Sequence, residues 1–214
     1  MDREVVLFDL DGVIIDTELQ YSLFWKEIGR KYLDSSDLDQ QIKGLTLEVI
    51  LGTYFKDDEV SRIVSDAIIR YEGKMEYNYI PGFVSFVEDL KKNNVRMGVV
   101  TSSNLVKMNN VYAQHPELKS YFEFVLTSDD YYKSKPDPEC FFKGMNLLGA
   151  SIDNTFIFED SLNGLKAAKN TGATAIGLTT TNSRESIKDL CDYVINDFTG
   201  LEYSFLSNIR NEKL

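Results

Sequence analysis

The chain has 214 residues, of which 43% are hydrophobic and 27% charged, and its formal net charge is −11. This composition is typical of an ordinary globular protein with one sizeable core, and no apolar run is long enough to span a bilayer. The acidic balance argues against nucleic acid and anionic membranes as broad-surface partners, because both select basic patches.

The N-terminus and the cysteines indicate the compartment. The charged start, Met1-Asp2-Arg3-Glu4, leads straight into a predicted strand, which argues against a signal peptide. The two cysteines, Cys140 and Cys191, lie far apart in the sequence and lack metal-ligand spacing, so we expect reduced thiols. We therefore expect a cytoplasmic protein.

The first predicted element is a buried strand, Val5–Phe8, followed by Asp9 and Asp11. Residues two apart in a strand point to the same side, so the two carboxylates should lie together at the strand's end. Such a pair needs a compensating cation, and an oxygen-ligated ion such as Mg²⁺ fits best. The pair alone is weak support, since aspartate is common at strand ends and turns.

Helical patterning without a convincing strand fills the segment between Gly12 and Ile80. The predicted helices are Thr17–Tyr32, Thr46–Phe55 and 57–77. Thr17 and Gln20 could form a capping box at the start of the first helix. We predict that residues 16–79 are an inserted helical cap domain, and that residues 1–15 and 80–214 form the core domain.

Apolar runs alternate with helical patterns after the cap. The further predicted strands are Met97–Val100, Phe124–Leu126, Phe156–Phe158, Ala175–Leu178 and Tyr193–Ile195. The predicted helices between them are Phe83–Lys92, Pro138–Leu148 and Leu162–Thr171. This alternation predicts an α/β fold with a doubly wound parallel sheet, whose ligands bind at the carboxyl ends of the strands.

A second acidic pair strengthens the prediction of a metal site. Glu159 and Asp160 follow the run Phe156–Phe158, again at the end of a strand. If this strand lies beside the first one, four carboxylates converge and would repel one another without a cation. An acidic solvated rim is the alternative, and it explains neither the placement nor the repetition. We predict a divalent-metal site formed by Asp9, Asp11, Glu159 and Asp160.

Two further features could bind an anion. Thr101 ends a strand, and Thr101-Ser102-Ser103-Asn104 leads into a helical segment, where a hydroxyl and backbone N–H groups can hold a phosphate. An ordinary Ser/Thr helix cap is the alternative. Lys135 precedes Pro136 in a stiff loop that could hold its ammonium group over an anionic site. A solvated lysine fits this second feature equally well.

Taken together, these segments resemble the four motifs of the haloacid dehalogenase superfamily of phosphotransferases. They are, in the family's order, "DLDGV", a threonine after a strand, "KPDP" and "FEDSLNGLKAA". The helical insertion resembles the cap of the branch that includes the β-phosphoglucomutases and phosphoglycolate phosphatases. The resemblance covers nearly the whole chain and implies a Rossmann-like core.

The resemblance implies catalytic roles for the residues that match the motifs. Asp9 would be the nucleophile that forms an aspartyl-phosphate, and Asp11 the general acid and base. Thr101 and Lys135 would bind the transferring phosphoryl group. True dehalogenases lack an acid/base aspartate at the position of Asp11, so its presence here favours phosphate chemistry.

The resemblance also implies how the metal is held. Mg²⁺ would be bound by Asp9, the backbone carbonyl of Asp11 and Asp160. Glu159 would assist directly or through a water molecule.

The cap residues that the resemblance implies for substrate binding are Lys43, Gly44 and Thr46, which would act together with Ser102 and Ser103 of the core. β-Phosphoglucomutases carry an arginine near the position of Leu47 and a histidine near that of Tyr21. These two departures put a mutase activity in doubt.

We therefore expect a Mg²⁺-dependent phosphatase that acts on a small phosphorylated metabolite, such as a sugar phosphate. The alternative is a β-phosphoglucomutase that interconverts β-glucose 1-phosphate and glucose 6-phosphate. A third possibility is a non-catalytic binding protein on the same fold, since fold alone does not guarantee activity. The expected partner is a small-molecule phosphate ester, and the expected state is a monomer.

Overall fold

The computed structural model describes residues 4–213. Residues 1–3 and 214, which include part of the charged N-terminus and both ends of the predicted core domain, lie outside the described residues. The strands are β1 (Val5–Phe8), β2 (Arg96–Val100), β3 (Phe124–Leu126), β4 (Thr155–Glu159), β5 (Thr174–Leu178) and β6 (Tyr193–Ile195). They form one parallel sheet in the order β3-β2-β1-β4-β5-β6, so the predicted doubly wound α/β fold is confirmed.

Helices cover both faces of this sheet. The helices are α1 (Glu18–Tyr32), α2 (Leu38–Gln41), α3 (Leu47–Tyr54), α4 (Asp58–Glu72), α5 (Phe83–Lys92), α6 (Leu105–Gln114), α7 (Glu139–Leu147), α8 (Leu162–Thr171), α9 (Arg184–Ile187) and α10 (Tyr203–Lys213). None of those described combines the length and the apolar character that crossing a membrane requires.

The central strand β1 is buried on both faces because its side chains alternate between two apolar layers. Val6 and Phe8 belong to the layer that contains α5, α6 and α10, whereas Val5 and Leu7 belong to the layer that contains α7 and α8. Phe8 stacks on Phe158 of the neighbouring strand β4, with ring centroids 5.0 Å apart. An apolar run without polar alternation is what a parallel strand in this position requires.

Helices α1–α4 enclose an apolar cluster of their own. It includes Phe24, Trp25 and Ile28 of α1, and Val64 and Ile68 of α4. A separate cluster fits the predicted cap domain, although the division into core and cap by residue number stays a prediction.

The predicted capping box at the start of α1 is wrong. Thr17 is the N-cap residue, but its side chain makes no capping hydrogen bond and instead donates to Asp11. The side chain of Gln20 pairs with the backbone of Glu76, where it donates to the carbonyl and accepts from the N–H group. Both polar groups therefore join α1 to distant parts of the chain rather than to its own first turn.

The last cap helix is shorter than predicted. Helix α4 ends at Glu72 rather than near Tyr77, and the chain then returns to the core in extended form. Tyr79 forms an isolated antiparallel bridge with Ile15, so the two segments that connect cap and core lie side by side.

Candidate active site

The predicted acidic residues meet at the carboxyl ends of neighbouring strands. Asp9 follows β1, Glu159 is the last residue of β4, and Asp160 comes next. Strands β1 and β4 pair in parallel, as the prediction required, and the N–H group of Asp9 donates to the carbonyl of Phe158 at 3.0 Å. One carboxylate oxygen from each of Asp9, Glu159 and Asp160 lies within 4.8 Å of the others.

Lys135 lies inside this acidic group. Its Nζ donates to Asp9 Oδ1 at 2.7 Å and to Glu159 Oε1 at 2.6 Å, and its side chain is 1% exposed. Burial opposes the charged form, but the two carboxylates outweigh it and raise the pKa of Lys135 well above its usual value. Lys135 is therefore a buried ammonium group rather than a solvated lysine.

Glu159 is fixed by hydrogen bonds that use both of its oxygens. While Oε1 accepts from Lys135, Oε2 accepts from the backbone N–H groups of Asp160 and Ser161 at 2.9 and 3.0 Å, and from the Ser161 hydroxyl at 3.0 Å. The Glu159 carboxylate is thus held in one orientation, whereas Asp9 and Asp160 each keep an oxygen available to bind an ion.

The donor set fits a hard divalent cation such as Mg²⁺. Oδ1 of Asp160 is buried and has no hydrogen-bond partner, although its Oδ2 accepts from Thr181. Gly12 has a φ of +74°, and a Cβ there would come within 2.1 Å of Asp160 Oδ2. The glycine thus leaves room for the Asp160 carboxylate, whose other oxygen, Oδ1, a bound cation would satisfy.

Electrostatics support the same assignment. Burial, together with repulsion from Glu159 and Asp11, raises the pKa of Asp9, although Lys135 opposes the shift. Burial, together with repulsion from Glu18, Glu159 and Asp9, raises the pKa of Asp160 well above its usual value. The ionised forms of Asp9 and Asp160 are thus disfavoured without a further cation, and a divalent ion beside Lys135 would stabilise them.

The Asp11 carboxylate is not part of this group, so the prediction that four carboxylates converge is wrong for Asp11, and a metal role through its backbone carbonyl stays a prediction. Its side chain accepts from Thr17, from the Ser103 hydroxyl at 2.8 Å, and from Lys107. Burial alone would raise the pKa of Asp11, but the attraction and hydrogen bonds of Lys107, aided by the two hydroxyls, leave it below its usual value.

Lys107 was not identified from the sequence. Its side chain is 2% exposed, and its Nζ lies 4.5 Å from the centroid of the Tyr21 ring. The available signal was its position, because Lys107 shares a helical face with Met108 and Val111, both fully buried. A lysine on the apolar face of a helix indicates a buried partner, here a carboxylate 96 residues earlier in the chain.

The predicted anion-binding segment lies directly beside this group. Thr101 is buried, and its hydroxyl accepts from the Ser103 N–H group at 3.0 Å. The Ser102 hydroxyl donates to the carbonyl of Gly44 at 2.8 Å. The structure thus brings Thr101, Ser102 and Ser103 to the site, with both serine hydroxyls already engaged with protein groups.

The loop at residues 43–46, which contains the cap residues predicted to bind substrate, rests on the core. Lys43 pairs with Glu18 at 2.9 Å, and its carbonyl accepts from Asn163 at 2.8 Å. The N–H group of Thr46 donates to the Ser134 hydroxyl at 3.0 Å, and the Thr46 hydroxyl caps α3 by accepting from Val49 at 3.4 Å. The loop therefore closes one side of the site.

A cavity lies between this loop, helices α1–α4 and the acidic group. Asp9, Asp11, Asp160 and Thr101 line its core side. Its cap side is lined by Glu18, Tyr21, Ser22, Trp25, Asp39, Ile42, Lys43, Gly44, Leu45, Leu47, Ile50, Ile68 and Glu72. The nucleophile predicted from the sequence and the predicted cap residues Lys43 and Gly44 thus face one space.

Comparisons with known proteins agree with this geometry. The family described as haloacid dehalogenase-like hydrolase matches residues 6–178. The chain is 26% identical over 206 residues to glycerol-1-phosphate phosphohydrolase 2 of Saccharomyces cerevisiae, with 89% of this chain and 81% of that protein covered. It is 27% identical over 192 residues to β-phosphoglucomutase of Bacillus subtilis, with 82% and 83% covered.

A solved structure shows the same architecture. A haloacid dehalogenase (HAD) hydrolase of family IA, variant 3, from Entamoeba histolytica superposes with a TM-score of 0.81 at 25% sequence identity. The superposition covers 97% of this chain and 99% of that one, so the cap helices as well as the sheet have counterparts there.

Proposed function

The chain belongs to the haloacid dehalogenase-like hydrolase family, and from this premise we propose that it is a Mg²⁺-dependent phosphatase of a small phosphorylated metabolite, such as a sugar phosphate. The observation that carries the proposal is the buried group of Asp9, Glu159 and Asp160 around Lys135. Asp9 and Asp160 of this group line the core side of the cavity, and Lys135 lies buried behind them against Asp9 and Glu159.

The first half of the proposed reaction transfers the phosphoryl group to Asp9. A carboxylate oxygen of Asp9 attacks phosphorus, the bond between phosphorus and the ester oxygen breaks, and Asp11 gives a proton to the departing alkoxide. Lys135, 2.7 Å from Asp9, holds the carboxylate in place, and Thr101 contacts the phosphoryl oxygens. Mg²⁺ held by Asp9, Asp160 and the Asp11 carbonyl would supply charge that stabilises these oxygens.

The second half releases phosphate. Asp11 takes a proton from a water molecule, whose oxygen attacks phosphorus and frees the Asp9 carboxylate. The contacts of Asp11 with Thr17, Ser103 and Lys107 favour its ionised form, which is the form that a base needs. These contacts therefore suit the second half of the reaction, when Asp11 has already given its proton to the departing alcohol.

Phosphate release tests this proposal. Phosphorylated sugars, nucleotides, phosphoglycolate and pyrophosphate would be assayed with Mg²⁺ and with a chelator, and Asp9→Asn would serve as the blank. We expect Mg²⁺-dependent release from at least one substrate class and none above background from the variant. Absence of turnover throughout would favour a non-catalytic binding protein.

A mutase is the second candidate because β-phosphoglucomutase of Bacillus subtilis is among the relatives. The cavity argues against it, since Leu47 and Tyr21 line the cap side and Lys43 is already paired with Glu18. A mutase would form glucose 6-phosphate from β-glucose 1-phosphate when primed with glucose 1,6-bisphosphate. A phosphatase would release inorganic phosphate without a primer.

We further propose that the protein acts as a monomer in the cytoplasm on a small-molecule phosphate ester, with neither nucleic acid nor membrane as a partner. The acidic net charge of −11 supports this proposal, and sedimentation of the purified chain would test the monomer.

A further inference from the structure

The cap side of the cavity combines an apolar wall with three carboxylates. The wall consists of Trp25, Ile42, Leu47, Ile50 and Ile68. The carboxylates are Glu18, Asp39 and Glu72. In the proposed reaction this surface faces the alcohol part of the substrate rather than its phosphate, because Asp9 and Thr101 lie on the core side.

Little positive charge balances these carboxylates. Lys43 is the one lysine or arginine that lines the cavity in the described part of the chain, and it already pairs with Glu18 at 2.9 Å. Glu72 accepts from the neutral Tyr21 hydroxyl at 2.7 Å, and the lysine that attracts it, Lys107, is already paired with Asp11. Burial raises the pKa of both glutamates, a sign that the charged forms are poorly solvated. The cap side is therefore an unfavourable place for a second anion.

Asp39 supplies an independent sign that a ligand belongs here. Its side chain is 1% exposed, and its Oδ1 has no hydrogen-bond partner. Its Oδ2 accepts from Gln40 at 2.9 Å and lies 3.6 Å from the ammonium group of Lys26, whose side chain is 43% exposed. A buried carboxylate oxygen without a donor is costly, so a ligand in the cavity that donates a hydrogen bond would be stabilised.

We propose that the substrate carries a single phosphate and that its alcohol part presents hydroxyl or ammonium groups to Asp39, Glu72 and Glu18. The apolar wall with Trp25 would pack against the carbon skeleton, while the carboxylates accept hydrogen bonds and repel a second phosphate or a carboxylate. This specificity rests on the proposed phosphatase function and narrows its substrate class to monophosphates of polyols, sugars or amino sugars.

Matched substrates test the charge rule. Glucose 6-phosphate, glucosamine 6-phosphate and 6-phosphogluconate differ by an added ammonium or carboxylate group, and fructose 6-phosphate differs from fructose 1,6-bisphosphate by one phosphate. We expect kcat/KM for each compound with a second anionic group, 6-phosphogluconate or fructose 1,6-bisphosphate, to be at least about tenfold below that of the matched sugar monophosphate. Glucosamine 6-phosphate should be at least as good as glucose 6-phosphate, and a clear preference for glucose 6-phosphate would contradict the ammonium part of the proposal.

Isosteric variants test whether Asp39 and Glu72 cause the discrimination against a second anionic group. Asp39→Asn and Glu72→Gln each remove one charge with little change of shape, and we expect each to reduce the discrimination against 6-phosphogluconate at least about threefold. Asp66→Asn, an exposed carboxylate on the same helix as Glu72, should leave the discrimination unchanged. Thermal unfolding would show that the variants are folded. If one of the two variants does not fold, the other still tests the inference.

The inference would be overturned if the compounds with a second anionic group had an equal or higher kcat/KM than the matched monophosphates. It would also be overturned if neither variant changed the ratio of these kcat/KM values. Release of phosphate from p-nitrophenyl phosphate separates this failure from failure of the proposed function. If that generic ester is hydrolysed without charge discrimination among the sugars, only the specificity is wrong. If no ester is hydrolysed with Mg²⁺, the phosphatase function and the specificity are both wrong.

Discussion

At the scale of single residues, Lys107 is the group that holds Asp11. Its buried ammonium group lies against the Asp11 carboxylate and over the Tyr21 ring. Thr17 and Ser103 complete the set of donors. The four side chains come from α1, α6 and the loops before them, so the position of the proposed acid and base depends on cap and core together.

Replacement of Lys107 should impair the chemical step. In Lys107→Met the carboxylate of Asp11 loses its buried counter-charge, and we expect kcat to fall by at least about tenfold, with a smaller change in KM. Steady-state kinetics on the preferred substrate would measure both. Lys166→Met, an exposed lysine of α8, is the control and should match the wild type. An unchanged kcat in Lys107→Met would contradict the positioning role.

Asp160 should control metal affinity. In Asp160→Asn the orphaned Oδ1 and the adjacent charge are replaced by a neutral amide, so we expect Mg²⁺ to bind at least about tenfold more weakly. Titration calorimetry with Mg²⁺ alone would measure this without any substrate. Asp189→Asn, at an exposed position, should bind Mg²⁺ like the wild type. Unchanged Mg²⁺ affinity in Asp160→Asn would place the ion elsewhere.

At the scale of elements, the loop at residues 43–46 is held on the core by three polar contacts. Ser102 donates to Gly44, Asn163 donates to Lys43, and Ser134 accepts from Thr46. Gly44 has a φ of +81°, and a Cβ there would come within 2.6 Å of Ser161 Oγ, so a glycine allows the close approach. Cap and core thus meet through backbone groups of the loop.

Loss of one loop contact should weaken substrate binding. Asn163→Ala removes the 2.8 Å hydrogen bond to the Lys43 carbonyl, and we expect KM to rise by about fivefold, as the loss of about 1 kcal/mol implies. Lys166→Ala, at an exposed position of the same helix, is the control. A KM that stays at the wild-type value in Asn163→Ala would show that the loop does not contribute to binding.

Element boundaries were predictable where the pattern was local. The bounds of β1, β3, β6, α5 and α8 agree with the apolar runs and helical spacing of the sequence. The capping box at Thr17 failed because its hydroxyl has a better partner in the Asp11 carboxylate, which local sequence does not reveal. Helix α4 was predicted too long because Met75 and Tyr77 continue an apolar pattern while they pack on the core instead of the cap.

At the scale of the whole molecule, the last helix stabilises the first strand. Arg210 of α10 donates to Glu4 at 2.8 Å, and the Tyr203 hydroxyl donates to the same carboxylate at 3.3 Å. Burial alone would raise the pKa of Glu4, but Arg210 and the other hydrogen bonds outweigh it and lower the pKa. The contact joins the residue just before β1 to the last helix, about 200 residues later in the sequence.

This contact should make stability depend on pH. A lowered pKa in the folded state means that the ionised Glu4 stabilises the fold above its unfolded value of 4.5, and that this stabilisation is lost as the pH falls through the folded value. Glu4→Gln should cost about 1 kcal/mol of unfolding free energy near neutral pH, and its difference from the wild type should shrink below the unfolded value.

Urea unfolding of Glu4→Gln and the wild type at several pH values would measure the effect. Glu88→Gln, an exposed glutamate of α5, controls for a general change in net charge. A difference between Glu4→Gln and the wild type that stays constant across the acidic range would contradict the assignment.

The site as a whole was predictable to the extent that its residues follow strands. Asp9, Thr101 and Glu159 could be brought together from the sequence because the carboxyl ends of β1, β2 and β4 share one edge of the sheet. Lys107 and Asp39 reach the site from helices. The apolar helix face marks Lys107 as buried, but nothing local indicates which distant carboxylate or cavity either residue meets. The proposed substrate specificity depends on such residues, so the sequence motifs predict the chemistry but not the substrate.

Detection of the phosphoryl group on Asp9 tests the central claim most directly. A reaction with the preferred substrate and Mg²⁺ would be quenched in acid during turnover, and the peptide that contains Asp9 would be analysed by mass spectrometry. The account predicts a phosphorylated Asp9 in the wild-type protein, and neither this peptide nor turnover in Asp9→Asn. Wild-type turnover by Asp9→Asn would contradict the account.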